Sequence, residues 1–224
     1  MTLQEAIVAR HSVRQYKEQA IDATTLHQLQ AAVDDANRES GLHLQLVTDE
    51  PVAFSKGLAK YGKFSGVSNY IVLVCRKGLD EQLGYHGERV VLLAQTLGLN
   101  SCWVGLTFSK QPDHYTIDEG ETLHGVIALG YGLTQGVQHP VRPTEKYYKS
   151  HVNPVPEWFL RGMEAAMLAP TAMHMQKFEF ELLPDGGVAA RTRFSLAGTY
   201  LKVDLGIVKC HFEIGAGKEN VRWE

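Results

Sequence analysis

A layered sandwich of helices and strands, α/β or α+β in class, is what the sequence predicts. Three observations predict it. Helical and strand-like patterns alternate up to about residue 135. "NYIVLVC" (69–75) is a continuous run rich in β-branched residues, as a central strand covered on both faces requires. "GYHGERVVLLAQTLG" (84–98) is a helical pattern whose apolar residues Val90, Val91, Leu92, Leu93 and Leu97 cover more than one stripe, so that helix is expected to be buried.

Each element follows in order. Residues 2–9 read as a helix with Leu3, Ala6 and Ile7 on one face, and Thr2 with Glu5 forms a capping box. Residues 23–36 are a second helix, with Leu26, Leu29, Ala32 and Val33 at helical spacing. Thr24 or Thr25 is its expected cap, and Gly41 lies beyond its end. "LHLQLVT" (42–48) alternates like a half-buried strand. Residues 53–60 form a short helix. After the 84–98 helix, which Gly98 can end, "SCWVGL" and "GVIALGYG" are strands. Residues 136–156 hold Pro140, Pro143, Pro154 and Pro156 and read as a linker with aromatic anchors. The pattern then restarts. Residues 156–168 are a helix opened by Pro156. "FEFELL" and "VAARTRF" make a hairpin across "PDGG", and 197–215 form a last helix. The helices at 84–99 and 202–217 are loosely alike in register, a weak sign of duplication.

Composition narrows the function. The 224 residues are 44% hydrophobic and 21% charged, with a net charge of −3. That suits one large domain or two packed lobes. It offers no global positive field for nucleic acid or anionic membrane. Cys75, Cys102 and Cys210 are widely spaced without a CxxC, so buried free thiols in a reducing compartment are expected. The N-terminus is too polar for a secretion signal, and no apolar run approaches the roughly 20 residues of a membrane helix. A cytoplasmic location is the default expectation. No GxGxxG, P-loop, HExxH or GxSxG occurs, and the ten histidines show no metal spacing. No metal site is expected.

Two stretches carry candidate chemistry. "RHSVRQY" (10–16) places Arg10, His11, Ser12 and Arg14 where a helix gives way to an extended segment. Two guanidinium groups and a hydroxyl there could converge on a phosphate, since arginine donates two parallel hydrogen bonds to an oxyanion. A surface ion-pair cluster is the plainer alternative. "LAPTAMHMQKF" (168–178) sets Pro170, Thr171, Ala172, His174 and Gln176 in an irregular segment before a strand. Such a segment can hold a planar heteroaromatic ring, or it can simply connect helix to strand.

Together these segments resemble the FMN-dependent nitroreductase family. "RHSVRQY" is similar to the family's N-terminal phosphate-binding segment. "GYHGERVVLLAQTLGLNSCWVG" is similar to its central helix and the strand leading to the isoalloxazine. "IALGYG" with "HPVRPTEKYY" is similar to its last core strand and closing basic segment, and "LAPTAMHMQKFEF" to its Ala-Pro-Ser-Ala-x-Asn-x-Gln-Pro-Trp segment. In common members the last motif follows the first by a few dozen residues. Here it lies after residue 168, which resembles the fused, TM-nitroreductase-like branch, where one chain supplies both halves of a dimer. His174 stands in place of the family asparagine, and Lys177-Phe178 in place of Pro-Trp.

The resemblance implies an α+β, three-layer α/β/α sandwich built as a single-chain pseudo-dimer. Residues 1–150 would form a lobe holding the FMN phosphate, and 151–224 a shorter half-repeat supplying the ring loop. Arg10, His11, Ser12, Arg14 and Arg142 would serve the phosphate. Trp103, Val104 and Gly105 would face the ring edge, where glycine permits close approach; Trp103 serves equally well as core. Pro170, Thr171, Ala172, His174 and Gln176 would contact the ring. The implied activity passes hydride from NADH or NADPH through flavin to a nitroaromatic, a quinone or a similar small acceptor. The flavin carries the chemistry and no side chain is a catalytic nucleophile. A fused chain is expected to work as a monomer. A flavin carrier or sensor without turnover, and a protein that kept the fold but lost the cofactor, are the alternative readings.

Overall fold

A computed structural model describes residues 1–195 and 198–224. Helix α1 (Leu3–Ala9) carries the expected capping box: the Glu5 N–H donates to Thr2 Oγ1, and the Thr2 N–H donates to Glu5 Oε2. Helix α2 (Ala23–Ser40) runs one turn further than its apolar spacing suggested. Its cap is Asp22, whose carboxylate accepts from both Thr25 N–H and Thr25 Oγ1, rather than Thr24 or Thr25. Aspartate two positions before Thr24 reaches the orphan amide of Thr25 and adds charge at the positive helix end. Gly41 ends α2 in the left-handed conformation.

Strands β1 (Gln45–Val47), β2 (Asn69–Arg76), β3 (Asn100–Val104) and β4 (Glu121–Gly130) form an antiparallel sheet in the order β1-β2-β4-β3. Alternation along β2 and β4 explains the unbroken apolar runs. Ile71, Leu73, Ile127 and Leu129 face a large core with the helices. Tyr70, Val72, Val74, Val126 and Ala128 face a second core closed by Val13, Tyr16, Phe54, Phe108 and Tyr115. Both faces are covered, so the middles of β2 (70–75) and β4 (125–129) carry no charged or amide side chain. The predicted helix at 53–60 is two short 3-10 turns, Val52–Phe54 and Gly57–Gly62.

Helix α3 (Asp80–Thr96) is buried along much of its length, and α4 (Glu157–Met167) and α5 (Leu201–Ala216) pack against it or each other. The predicted last helix starts later than expected: Gly198–Tyr200 is a 3-10 turn, and residue 197 lies outside the described residues. A second sheet, β5-β6-β7, closes the far side of the helices. Strands β6 (Phe178–Leu182) and β7 (Val188–Thr192) are the predicted hairpin. Strand β5 (Tyr148–Ser150) corrects the linker reading, because this piece of 136–156 pairs in parallel with β6. Three residues without alternation give no strand signal. Phe180 and Phe212 stack at 4.6 Å between centroids where this sheet meets α5. All three cysteines are free and buried. No described helix is long and apolar enough to cross a membrane.

Candidate active site

The extended segment after α1 is laced into the sheet. Val13 N–H donates to Ser101 O, Tyr16 N–H to Ser65 O, Lys17 N–H to Tyr131 O, and Leu133 N–H to Gln15 O. This pins residues 12–17 beside β3 and leaves Ser12 and Arg14 exposed. Ser65 N–H also donates to Arg14 O, which brings Lys63 and Phe64 alongside; the Arg14 guanidinium lies 6.0 Å from the Phe64 ring centroid.

On the other side, α4 ends at Met167 and the chain turns through 168–177. Thr171 Oγ1 accepts from Gln176 N–H, and the Gln176 side-chain amide donates to Met167 O. Met173, His174 and Gln176 all adopt left-handed backbone conformations (φ 51°, 54° and 50°). Non-glycine residues persist there only when surroundings impose it. The imposing contacts are visible. Asp204 Oδ1 accepts from Ala172 N–H at 3.0 Å, and His174 Nε2 is 3.2 Å from Pro140 O. His139 Nε2 is in turn 3.3 Å from Leu168 O, and the His139 and His174 rings sit 4.1 Å apart.

These segments meet across one cavity of about 940 Å³. That lies at the upper end of the roughly 300–1,000 Å³ typical of small-molecule sites. Eleven of the thirteen predicted residues line it: Arg10, His11, Ser12, Arg14, Trp103, Val104, Gly105, Pro170, Thr171, Ala172 and His174. Two do not. Arg142 points Nη1 at Tyr147 Oη (3.1 Å) and Met175 O (3.4 Å), so it ties the 136–147 segment to the loop. Gln176 is buried and spends its amide on Met167. Sequence reasoning missed Lys63, His139, Tyr200 and Asp204, which also line the cavity. Lys63, Tyr200 and Asp204 sit in no site motif, and His139 opens "HPVRPTEKYY", where the resemblance pointed to Arg142 instead.

Electrostatics divide the lining. Arg10, Arg14 and Lys63 supply positive charge, and Leu73, Leu83, Trp103, Val203 and Ile207 supply apolar surface. Arg10 has a second task. It is 3% exposed, and its Nε lies 3.6 Å from Oε1 of the fully buried Glu88. That carboxylate also accepts from Trp103 Nε1 at 2.7 Å and lies 2.9 Å from His211 Nε2. Trp103 is therefore both core and cavity wall. Burial, then Arg10 and His139, depress the proton affinity of His11. Burial and His139 do the same to His174. Asp204 is the one carboxylate among the described lining residues, and burial pushes it up to about 6 despite the opposing Ala172 N–H.

The residues fit FMN. A phosphate needs Arg14, Lys63, Ser12 and Arg10 in reach of one cavity, and an isoalloxazine needs a dry wall with close backbone. Gly105 leaves bare backbone on the cavity wall, and Tyr200 packs on it so closely that a Cβ would fall 2.6 Å from its ring.

A family model described as "Putative TM nitroreductase" matches residues 2–216. The chain belongs to this nitroreductase family. Solved structures agree on the fold. A structure described as a putative nitroreductase from Thermotoga maritima superposes with a TM-score of 0.68 at 22% identity, over 98% of this chain and 85% of that one. Another, from Desulfovibrio desulfuricans and solved in complex with FMN, gives 0.52 at 16% identity over 70% and 99%. A third, from Bacteroides thetaiotaomicron and described as a putative NADH dehydrogenase/NAD(P)H nitroreductase, gives 0.50 at 18% identity over 67% and 96%. No curated protein matches the chain.

Proposed function

We propose that this nitroreductase-family chain is an FMN-dependent oxidoreductase drawing on NADH or NADPH. The supporting observation is the meeting of segment 10–14 with loop 170–175 in one cavity, cationic on one part of its wall and apolar on another. Bound FMN would supply two-electron chemistry between the nicotinamide and a nitroaromatic, a quinone or a similar small acceptor.

The chain's own residues bind, orient and exclude water. Arg14, Ser12 and Lys63 hold the phosphate, with Arg10 behind them, held in place by Glu88. Arg142 holds Met175 O and thereby braces the loop. Trp103 and Gly105 form the wall against the ring. Thr171, Ala172 and His174 close over it, and the tilted contact between the His139 and His174 rings holds the loop against the 136–142 segment. Lobe 1–150 supplies the phosphate side and half-repeat 151–224 the ring loop. This single-chain pseudo-dimer reading is supported by reciprocal contacts between α3 and α5: a Cβ on Gly84 would fall 1.9 Å from Val203 O, and one on Gly206 1.9 Å from Glu81 O.

The deciding experiment is the absorbance spectrum of the purified protein supplied with FMN. Yellow protein that NADH or NADPH bleaches and a nitroarene or quinone recolours is the expected result. Yellow protein that never bleaches would make the chain a carrier. Protein that stays colourless with excess FMN would refute the cofactor.

A further inference from the structure

We infer that Asp204 takes up a proton when a ring bound in this cavity is reduced, and gives it back when the ring is reoxidised. The inference rests on the FMN reading above and assigns a charge-balancing role to a residue that lines the same cavity as the arginines' segment.

The geometry carries it. Asp204 sits in the first turn of α5, is 7% exposed, and lines the cavity. Oδ1 is spent on Ala172 N–H. Oδ2 is buried and has no hydrogen-bond partner. A buried polar atom without a partner costs on the order of 1–3 kcal/mol, more when charged. Such a group persists where function requires it. Among the described residues no cation is paired with it. On α3, Glu81 is held by Lys209, Tyr85 by Glu213, and Glu88 by His211 and Trp103. On β4, His124 lies 3.7 Å from Asp80. The loop offers His174, whose proton affinity is already depressed. Arg10 faces Glu88, and Arg161 on α4 faces Glu157. On its own flank Asp204 has Tyr200, a neutral phenol that burial keeps from ionising.

The balance is simple. A reduced nicotinamide gives up a hydride, two electrons with one proton, so the ring gains one negative charge and the nicotinamide one positive charge. A second negative charge beside Asp204 in a dry wall is unfavourable. One proton from solvent therefore joins Oδ2 and leaves Asp204 a neutral acid. When the acceptor takes the hydride, the carboxyl proton follows to the acceptor or to water, and Asp204 is a carboxylate again. Burial in the chain itself already pushes this carboxyl up to about 6, so the extra uptake is expected from about pH 6 upward.

The test is the two-electron potential of the FMN-loaded protein against pH, for wild type and Asp204→Asn. Asparagine keeps an oxygen for Ala172 N–H and removes the charge. Each proton taken up per electron pair adds about 30 mV per pH unit, the tenfold conversion for a two-electron couple. Wild type should show a slope one proton steeper than Asp204→Asn above about pH 6. Equal slopes would overturn the inference while leaving FMN binding intact. The reduced-minus-oxidised infrared spectrum of the wild type gives an independent reading should the variant fail to fold. A protonated-carboxyl band that grows on reduction and shifts in D₂O supports the inference, and its absence refutes it. FMN uptake is scored first by absorbance; protein that takes up none overturns both readings.

Discussion

Gly84 on α3 and Gly206 on α5 answer each other across one helix crossing. A Cβ on Gly84 would meet Val203 O at 1.9 Å and Ile207 N at 3.0 Å. A Cβ on Gly206 would meet Glu81 O at 1.9 Å and Tyr85 N at 2.7 Å. Each glycine thus faces the residues three before and one after the other. This crossing sets how closely α5, which carries Asp204, approaches α3.

Helix propensity alone says that alanine should stabilise either site by about 0.5–1 kcal/mol. The clash is with backbone, which cannot rotate away, and overpacking of this kind costs about 1–3 kcal/mol or more. Gly84→Ala and Gly206→Ala are therefore each expected to destabilise. Urea midpoints at unchanged m-value would show it.

Gly105→Ala should behave differently. Its Cβ would strike the tip of the Tyr200 side chain at 2.6 Å, and a side chain can swing aside. Stability is expected to change by less than about 1 kcal/mol. FMN affinity should fall about tenfold, because the displaced ring intrudes on the cavity. Tyr200→Ala combined with Gly105→Ala should recover most of that loss in a double-mutant cycle of FMN titrations.

The two arginines of the opening segment should separate. Arg14 is exposed, so Arg14→Ala should leave the unfolding midpoint nearly unchanged. It should weaken FMN roughly 10- to 100-fold, the equivalent of one charge-assisted hydrogen bond of about 1.5–3 kcal/mol. Arg10→Ala strips Glu88 of its guanidinium neighbour. Breaking a buried ion pair from one side costs about 3–5 kcal/mol. That variant should lose stability even without FMN, as thermal unfolding of the apoprotein would reveal.

Acid should expose a third cluster. Glu179 on β6 accepts from Arg191 and, at 3.1 Å, from Arg193, with Lys149 at 3.3 Å. Arg191 above all holds this carboxyl down at about 2, against 4.5 unperturbed. A depressed carboxyl stabilises the fold fully above its unfolded value and loses that contribution as pH falls toward its folded value. The stability gap between wild type and Glu179→Gln should therefore be constant above about pH 5 and shrink between about pH 4.5 and 2. Urea unfolding along that pH series checks it.

The sequence by itself determined much of the local structure and two contiguous parts of the candidate site. The capping box at Thr2 and Glu5, the dry runs of β2 and α3, and the "PDGG" hairpin are encoded within a few neighbouring residues. "RHSVRQY" and "LAPTAMHMQKF" announced 12 of the 29 described lining residues because each is contiguous. Only the tertiary structure decided the rest. Lys63, His139 and the pair Tyr200 and Asp204 enter the cavity from three separate segments, brought there by backbone pairing and by the α3–α5 crossing. Strand β5 exists because β6 offers it an edge. Arg142 and Gln176 have the right chemistry, yet neighbours in space claim their donors. Hydrophobic period and capping act over one or two turns of chain. Which polar group faces a cavity, and which is already satisfied, depends on partners far along the chain, as Glu88 and His211, 123 residues apart, show.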